Sequence, residues 1–175
     1  NVLIAPSWGK NGLLETKGME LVRILLDAGY YVTVRPHPMT IRKWPKTIKA
    51  IENEFKSNTN FEIEKDVSSF DSLSSAYGLI SDWSGIAIEY AFACELPVLY
   101  IDGSPKINNS SYDKISCEPL EITIRNLIGK IISPDELESL PKTIESTYEN
   151  IDNFKTKIQE IRDKTVFNLG ESGMK

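Results

Sequence analysis

Short runs of apolar residues alternate along this chain with longer stretches in which apolar positions recur every three or four residues. The first pattern predicts buried strands and the second amphipathic helices. Residues 2–5 (Val-Leu-Ile-Ala) predict a first strand, followed by a loop over 7–12 with two glycines. Leu13, Leu14, Met19, Leu21, Val22, Leu25 and Leu26 then form one helical stripe that ends near Gly29. Residues 31–34 predict the second strand, stopped by Pro36 and Pro38, which cannot donate to a ladder. A helix over 40–55 carries Ile41, Trp44, Ile48, Ile51 and Phe55 on one face, with Pro45 in its first turn or at a second start.

The alternation continues. Strands are expected over 61–64, 77–80 and 97–101, with a short helix over 69–76 and an apolar, mostly buried helix over 85–94. The polar, turn-rich stretch 102–112 predicts a long loop. Helices resume over 120–132 and 135–140, the latter N-capped by Ser133. A last long helix is predicted over 141–166. Its stripe of Ile144, Tyr148, Ile151, Phe154, Ile158 and Ile161 repeats at helical spacing. That stripe is expected to pack on this domain's own sheet, the alternative being that part of it crosses to a partner domain. The sum is an α/β class chain with a doubly wound, Rossmann-like parallel sheet. In such sheets ligands sit at the carboxyl ends of the strands, beside helix N-termini. Four loops therefore become candidates: 7–12, 35–40, 81–85 and 102–112.

Composition narrows the function classes. The 175 residues carry 20 Lys and Arg against 25 Asp and Glu, a net charge of −5. That balance speaks against a duplex nucleic-acid binder, whose affinity comes mainly from neutralising phosphates. No apolar run approaches the ~20 residues of a membrane span. One histidine and two cysteines exclude a zinc site of the usual Cys/His type and make a disulfide framework unexpected. No metal is expected, and Cys94 and Cys117 read as buried reduced thiols, as in a cytosolic chain. The opening Asn1-Val-Leu-Ile has no Met and enters directly on a strand, which suggests a single domain over 1–175 cut from a longer polypeptide.

Three features could carry chemistry. In Val34-Arg35-Pro36-His37-Pro38, two prolines stiffen the chain around the only imidazole, and Arg35 offers a forked cation suited to phosphate oxygens. Arg42, Lys43, Lys46 and Lys49 follow without an acid, so the acidic chain has a local basic segment here. A turn histidine beside a solvated basic helix face is the plainer account. In Ile80-Ser81-Asp82-Trp83-Ser84-Gly85-Ile86, a strand ends and a helix begins. Ser84 is either a simple N-cap or, with Gly85 and the free N–H groups, part of an anion site suited to a diphosphate. Glu89, one turn later in an otherwise apolar helix, is either an edge residue or an acceptor for ribose hydroxyls.

These residues carry a resemblance. Ile-Ala-Pro-Ser-Trp-Gly near the start, Arg-Pro-His-Pro after the second strand, Ile-Ser-Asp-Trp-Ser-Gly-Ile with Glu-Tyr-Ala, and Pro-Val-Leu-Tyr-Ile-Asp resemble the CDP-glycerol glycerophosphotransferase family of teichoic-acid primases and polymerases. The likeness runs in order over roughly the first 115 residues. It implies the C-terminal, donor-binding half of a two-domain GT-B fold. It also implies transfer of glycerol phosphate, or a similar polyol phosphate, from a CDP-linked donor to a polyol-phosphate or glycan acceptor. An N-terminal acceptor domain of the parent chain would be a partner and would supply a second histidine. The parent would be cytoplasmic and peripheral at the inner face of the plasma membrane. His37 maps to the family's essential histidine at the donor phosphates and Ser84 to the hydroxyl on the diphosphate. Arg35, Ser7, Ser81, Asp82, Gly85 and Glu89 are the remaining candidate nucleotide and diphosphate contacts. The commoner motif has Tyr-Ser-Ser where this chain has Trp83-Ser84-Gly85, and Glu89 to Pro97 is one residue longer than the commoner spacing. No cofactor is implied beyond the CDP-activated substrate.

Other readings compete. A nucleotide-sugar glycosyltransferase or 2-epimerase half would place Ser, Gly and Glu at the same helix. A non-catalytic nucleotide-binding domain is the alternative of another class. A serine hydrolase is disfavoured, because Gly-x-Ser-x-Gly is missing and the only histidine precedes the serine.

Overall fold

The computed structural model describes residues 1–66, 70–103, 112–114 and 118–170. In chain order the elements are β1 (Val2–Ile4), α1 (Leu13–Thr16), α2 (Gly18–Asp27), β2 (Val32–Val34), α3 (Pro38–Lys43), α4 (Pro45–Phe55) and β3 (Phe61–Ile63). Then come α5 (Asp71–Ser75), β4 (Gly78–Ser81), α6 (Ile86–Cys94), β5 (Val98–Ile101), α7 (Leu120–Thr123), α8 (Arg125–Ile128), β6 (Gly129–Ile132), α9 (Leu140–Glu149) and α10 (Ile151–Thr165). The strands form one sheet in the order β3-β2-β1-β4-β5-β6, and every pair is parallel. The order reverses between β1 and β4, so their outgoing loops diverge and leave a crevice at that edge.

The strand side chains alternate between two faces, and each face has its own core. Val2, Ile4, Ile80, Leu99 and Ile101 point to one, where Leu21 and Leu25 of α2, Ile51 of α4 and Ile144 of α9 cover them. Leu3, Leu79, Val98 and Tyr100 point to the other, under Leu73, Tyr90, Ile128 and Ile158 from α5, α6, α8 and α10. Both faces of β1 and β4 are therefore dry. That is why these strands read as continuous apolar runs and not as alternating ones.

Three expectations are corrected, and of the two places expected for Pro45 the second start holds. The helix expected over 120–132 is two single turns followed by the edge strand β6. Gly129 makes the switch: a Cβ there would overlap the Val98 carbonyl oxygen, so only glycine allows this approach of β6 to β5. Lys130 on the exposed side discourages further strand pairing at that edge. The helix over 40–55 breaks at Trp44, and Pro45 opens a second helix. The helix expected over 135–140 is a 3-10 turn, Leu137–Ser139, and the Ser133 Oγ accepts from the Asp135 N–H at 3.3 Å as a local turn. The long helix over 141–166 is broken at Asn150. The break carries the chain from one face of the sheet to the other, so its single stripe is divided: Ile144 and Tyr148 join one core, Phe154 and Ile158 the other. The stripe packs on this domain's own sheet. Cys94 is a half-buried free thiol whose pKa burial pushes up. Cys117 and positions 104–111 of the expected long loop lie outside the described residues.

Candidate functional site

Two clefts flank the point where strand order reverses. One, of about 190 Å³, lies between the loops after β1, β2 and β4 and is lined by Pro6, Arg35, His37, Ser84 and Ile86. The other, of about 360 Å³, lies on the opposite side of the β1 and β4 loops and is lined by Ser7, Trp8, Asp82 and Trp83 among others. Adjacent residues (Pro6 and Ser7, Trp83 and Ser84) face different clefts, so the two share a wall of two chain turns.

His37 is placed by the fold and not by flexibility. It is the N-cap of α3, and its Nδ1 accepts the Met39 N–H at 3.0 Å. Pro38 sits at the first helical position, where a missing N–H costs nothing. With Nδ1 accepting, the neutral ring carries its proton on Nε2. The ring faces Trp8 at 6.0 Å, and Trp8 in turn meets Trp44 at 6.3 Å and the Lys43 ammonium at 4.8 Å. The turn-histidine account and the functional one therefore share a geometry: the cap orients the ring that lines the cleft.

Arg35 lines the same cleft but is buried and engaged, donating to Ser72 Oγ at 2.8 Å with Glu64 at 3.8 Å. Ser84 stands at the opening of α6 without capping it by a side-chain hydrogen bond. The Ala87 and Ile88 N–H groups turn back to the Ser84 and Gly85 carbonyls. Those of Gly85 and Ile86 have no backbone acceptor among the described residues. A Cβ at Gly85 would meet open space, so the protein's own packing does not require a glycine there.

The remaining candidates do other work. Ser81 is fully buried and its hydroxyl donates to the Ala5 carbonyl at 2.7 Å, tying β4 to β1. The Ser81 side chain thus lies beneath the loops and lines neither cleft. The Asp82 carboxylate accepts from the Ser7 N–H at 2.6 Å and from Ser7 Oγ at 3.0 Å. The expected contacts Ser7 and Asp82 thus bond one another, latching the two loops together. Burial pushes the Asp82 carboxyl above its ordinary value, against the lowering effect of the Ser7 bonds. Burial also raises the nearby Glu15 carboxyl on α1. Glu89 is exposed on α6 and lines neither cleft. Among the described residues no cluster of three or more His, Cys, Asp or Glu could hold a metal ion.

One residue near the site carries no sequence signal. Arg125 of α8 is buried, with its Cζ 3.9 Å from the centre of the Trp83 ring and 4.9 Å from that of Tyr100. Its Nη1 donates to Asp102 at 2.9 Å, while Nε and Nη2 are buried without a hydrogen-bond partner among the described residues. The Trp83 indole N–H donates to the Gly103 carbonyl at 2.8 Å. Trp83 is thus held from both sides. No motif could have found Arg125, because its partners come from β4, β5 and their loops.

No protein-family model matches the sequence, and no curated protein matches it. Among solved structures, the chain is similar to a Methanocaldococcus jannaschii UDP-GlcNAc 2-epimerase in complex with UDP-GlcNAc and UDP. The TM-score is 0.54 and the identity 17%, over 94% of this chain and 44% of that one. The chain therefore spans less than half the length of that enzyme. The likeness is one of fold: a six-stranded, Rossmann-like α/β sheet. No described helix is long and apolar enough to cross a membrane.

Proposed function

We propose that this chain is the donor-binding half of a GT-B-type enzyme, and that its ligand is a small molecule activated through a nucleoside diphosphate. The observation that carries the proposal is the convergence of His37, Ser84 and the opening of α6 on one cleft where strand order reverses. The Gly85 and Ile86 N–H groups, the Ser84 hydroxyl and the His37 Nε2 proton form a set of donors suited to the oxygens of a diphosphate. Arg35, fixed behind them, adds positive potential. The exposed Arg42, Lys46 and Lys49 nearby would draw an anionic donor toward an otherwise acidic chain. Such donors stabilise a leaving group as negative charge develops on it.

Two donor classes fit. A sugar carried on a nucleoside diphosphate is favoured by the fold likeness to a 2-epimerase, an enzyme solved with UDP-GlcNAc and UDP. In that case the bond from the sugar to the diphosphate breaks, the diphosphate leaves with the electron pair, and an acceptor hydroxyl that gives its proton to a base bonds to the sugar carbon. Glycerol phosphate carried on CDP is favoured by the motif resemblance. There an acceptor hydroxyl gives its proton to a base and attacks the β-phosphorus, the bridging P–O bond breaks and CMP leaves with its electrons. Calorimetric and NMR titration with CMP, CDP-glycerol, UDP, UDP-GlcNAc and GDP tests the proposal. Binding that perturbs His37 and Ser84 is expected, and the base preference selects the class. Absence of any response at both residues overturns the reading.

A further inference from the structure

We infer that Arg125 is a positioning residue for the donor cleft: by clamping Trp83 it fixes where the next residue, Ser84, presents its hydroxyl. The inference rests on the donor reading above. Ser84 has little to anchor it locally. Its side chain makes no capping hydrogen bond to α6, and a Cβ on the following Gly85 would meet open space. The residue before it is the one held firmly. The Trp83 indole N–H donates to the Gly103 carbonyl at 2.8 Å, and the Arg125 guanidinium covers the ring at 3.9 Å. Trp83 lines the larger cleft and Ser84 the smaller, so the two side chains leave the chain in different directions. Fixing the indole fixes the peptide that joins it to Ser84, because that peptide is planar and stiff.

Packing alone does not account for an arginine in this place. The side chain is 4% exposed, its Cζ lies 4.9 Å from the centre of the Tyr100 ring as well, and Nη1 donates to Asp102 at 2.9 Å. Nε and Nη2 are buried with no hydrogen-bond partner among the described residues, and so is the Tyr100 hydroxyl. Burying a cation in this way is unfavourable, and an apolar side chain of similar length would fill the space without leaving donors unmatched. An apolar chain would not supply a flat group, tied to Asp102, that holds an indole at a set angle. A gap of only about 10 Å³ lies beside Arg125, Tyr100 and Ser84. It is too small to admit a ligand group to the guanidinium, so Arg125 acts through Trp83 and does not touch the donor.

The test is calorimetric titration of the chain with UDP, CDP and GDP. Wild type is compared with Arg125→Lys, Arg125→Met, Ser84→Ala and the double variant Arg125→Lys/Ser84→Ala, each checked for folding by thermal unfolding. Arg125→Lys keeps a cation beside Asp102 and loses the flat group over Trp83; Arg125→Met loses both. Each single variant should bind the preferred diphosphate roughly tenfold more weakly, the scale of one hydrogen bond to a charged group. In the Ser84→Ala background Arg125→Lys should add less than about a twofold loss, because residues that act as one unit are not additive. The Ser84 amide signal of the ligand-free chain should shift in Arg125→Lys. If Arg125→Met unfolds, Arg125→Lys decides alone. Wild-type affinity in the Arg125 variants overturns the inference and leaves the donor reading intact. So does affinity lost in Arg125→Met but kept in Arg125→Lys, which makes the charge responsible and not the clamp. Additive losses in the double variant, or undiminished binding by Ser84→Ala, also overturn it, because Arg125 then acts apart from the Ser84 hydroxyl. Failure of the wild type to bind any of the three nucleotides overturns the donor reading, and this inference with it.

Discussion

The double use of His37 can be separated by comparing His37→Asn with His37→Ala. The wild-type ring accepts the Met39 N–H at 3.0 Å and meets Trp8 at 6.0 Å. Asn is among the best N-caps, so His37→Asn keeps the cap and loses the ring contact. His37→Ala loses both. A lost cap costs about 1 kcal/mol, and a lost aromatic contact about 1 kcal/mol. His37→Ala should therefore be destabilised by about 2 kcal/mol and His37→Asn by about half of that. In a chain of this size a difference of about 1 kcal/mol is a Tm gap of about 2–4 °C, resolvable by thermal or urea unfolding. Nucleotide affinity should behave differently. Both variants lose the Nε2 donor, and a hydrogen bond to a charged group is worth about 1.5–3 kcal/mol. Both should bind nucleoside diphosphates at least about tenfold more weakly. Equal stabilities would show that the cap contributes nothing. Wild-type affinity in His37→Asn would show that the ring does not meet the diphosphate.

Asp82 sets a pH dependence with a definite sign. Burial raises its folded-state pKa above the ordinary 3.8, so between the two values the folded chain keeps a proton that the unfolded chain has released. Its contribution to stability is present below that value and is lost as pH rises through the raised one. Urea unfolding between about pH 3.5 and about pH 7 should show wild type losing stability relative to Asp82→Asn as pH rises; a gain would refute this. Gly129→Ala forces a Cβ into the Val98 carbonyl and should cost about 1–3 kcal/mol or more. Wild-type stability in that variant would show that β6 does not pair with β5. Arg125→Met removes a buried cation with unspent donors, so stability should change by less than about 1 kcal/mol. The Trp83 indole signal should nonetheless shift on loss of its stacking partner, and an unchanged signal would refute the contact.

Local pattern was enough for the class of fold. Dry strands such as Val2–Ile4 and Gly78–Ser81 are short apolar runs bounded by turn residues, and the stripe of α2 is unmistakably helical. The prolines around His37 announced a stiff loop at a strand's carboxyl end. β6 could not be read in this way. Ile128, Ile131 and Ile132 continue the spacing of the turns before them, and only pairing with Val98–Ile101 makes them a strand. The break at Asn150 was hidden for a similar reason. The stripe of the last helix keeps its spacing through that residue, and nothing local shows that its two halves face different cores.

Local pattern along the chain sets the succession of five strands and their helices, the place of His37 beside a basic segment, and the opening of α6 after Ser84 and Gly85. These follow from periodicity, proline and glycine, which act over a few residues. Tertiary structure alone decided which of the motif residues share a cleft. Ser81, Asp82 and Ser84 are neighbours in sequence, yet one ties β4 to β1, one latches Ser7 and one faces the His37 cleft. It also decided that Arg125, from the far end of the sheet, braces Trp83. Such contacts join loops that meet only after the sheet has formed, so no spacing along the chain encodes them.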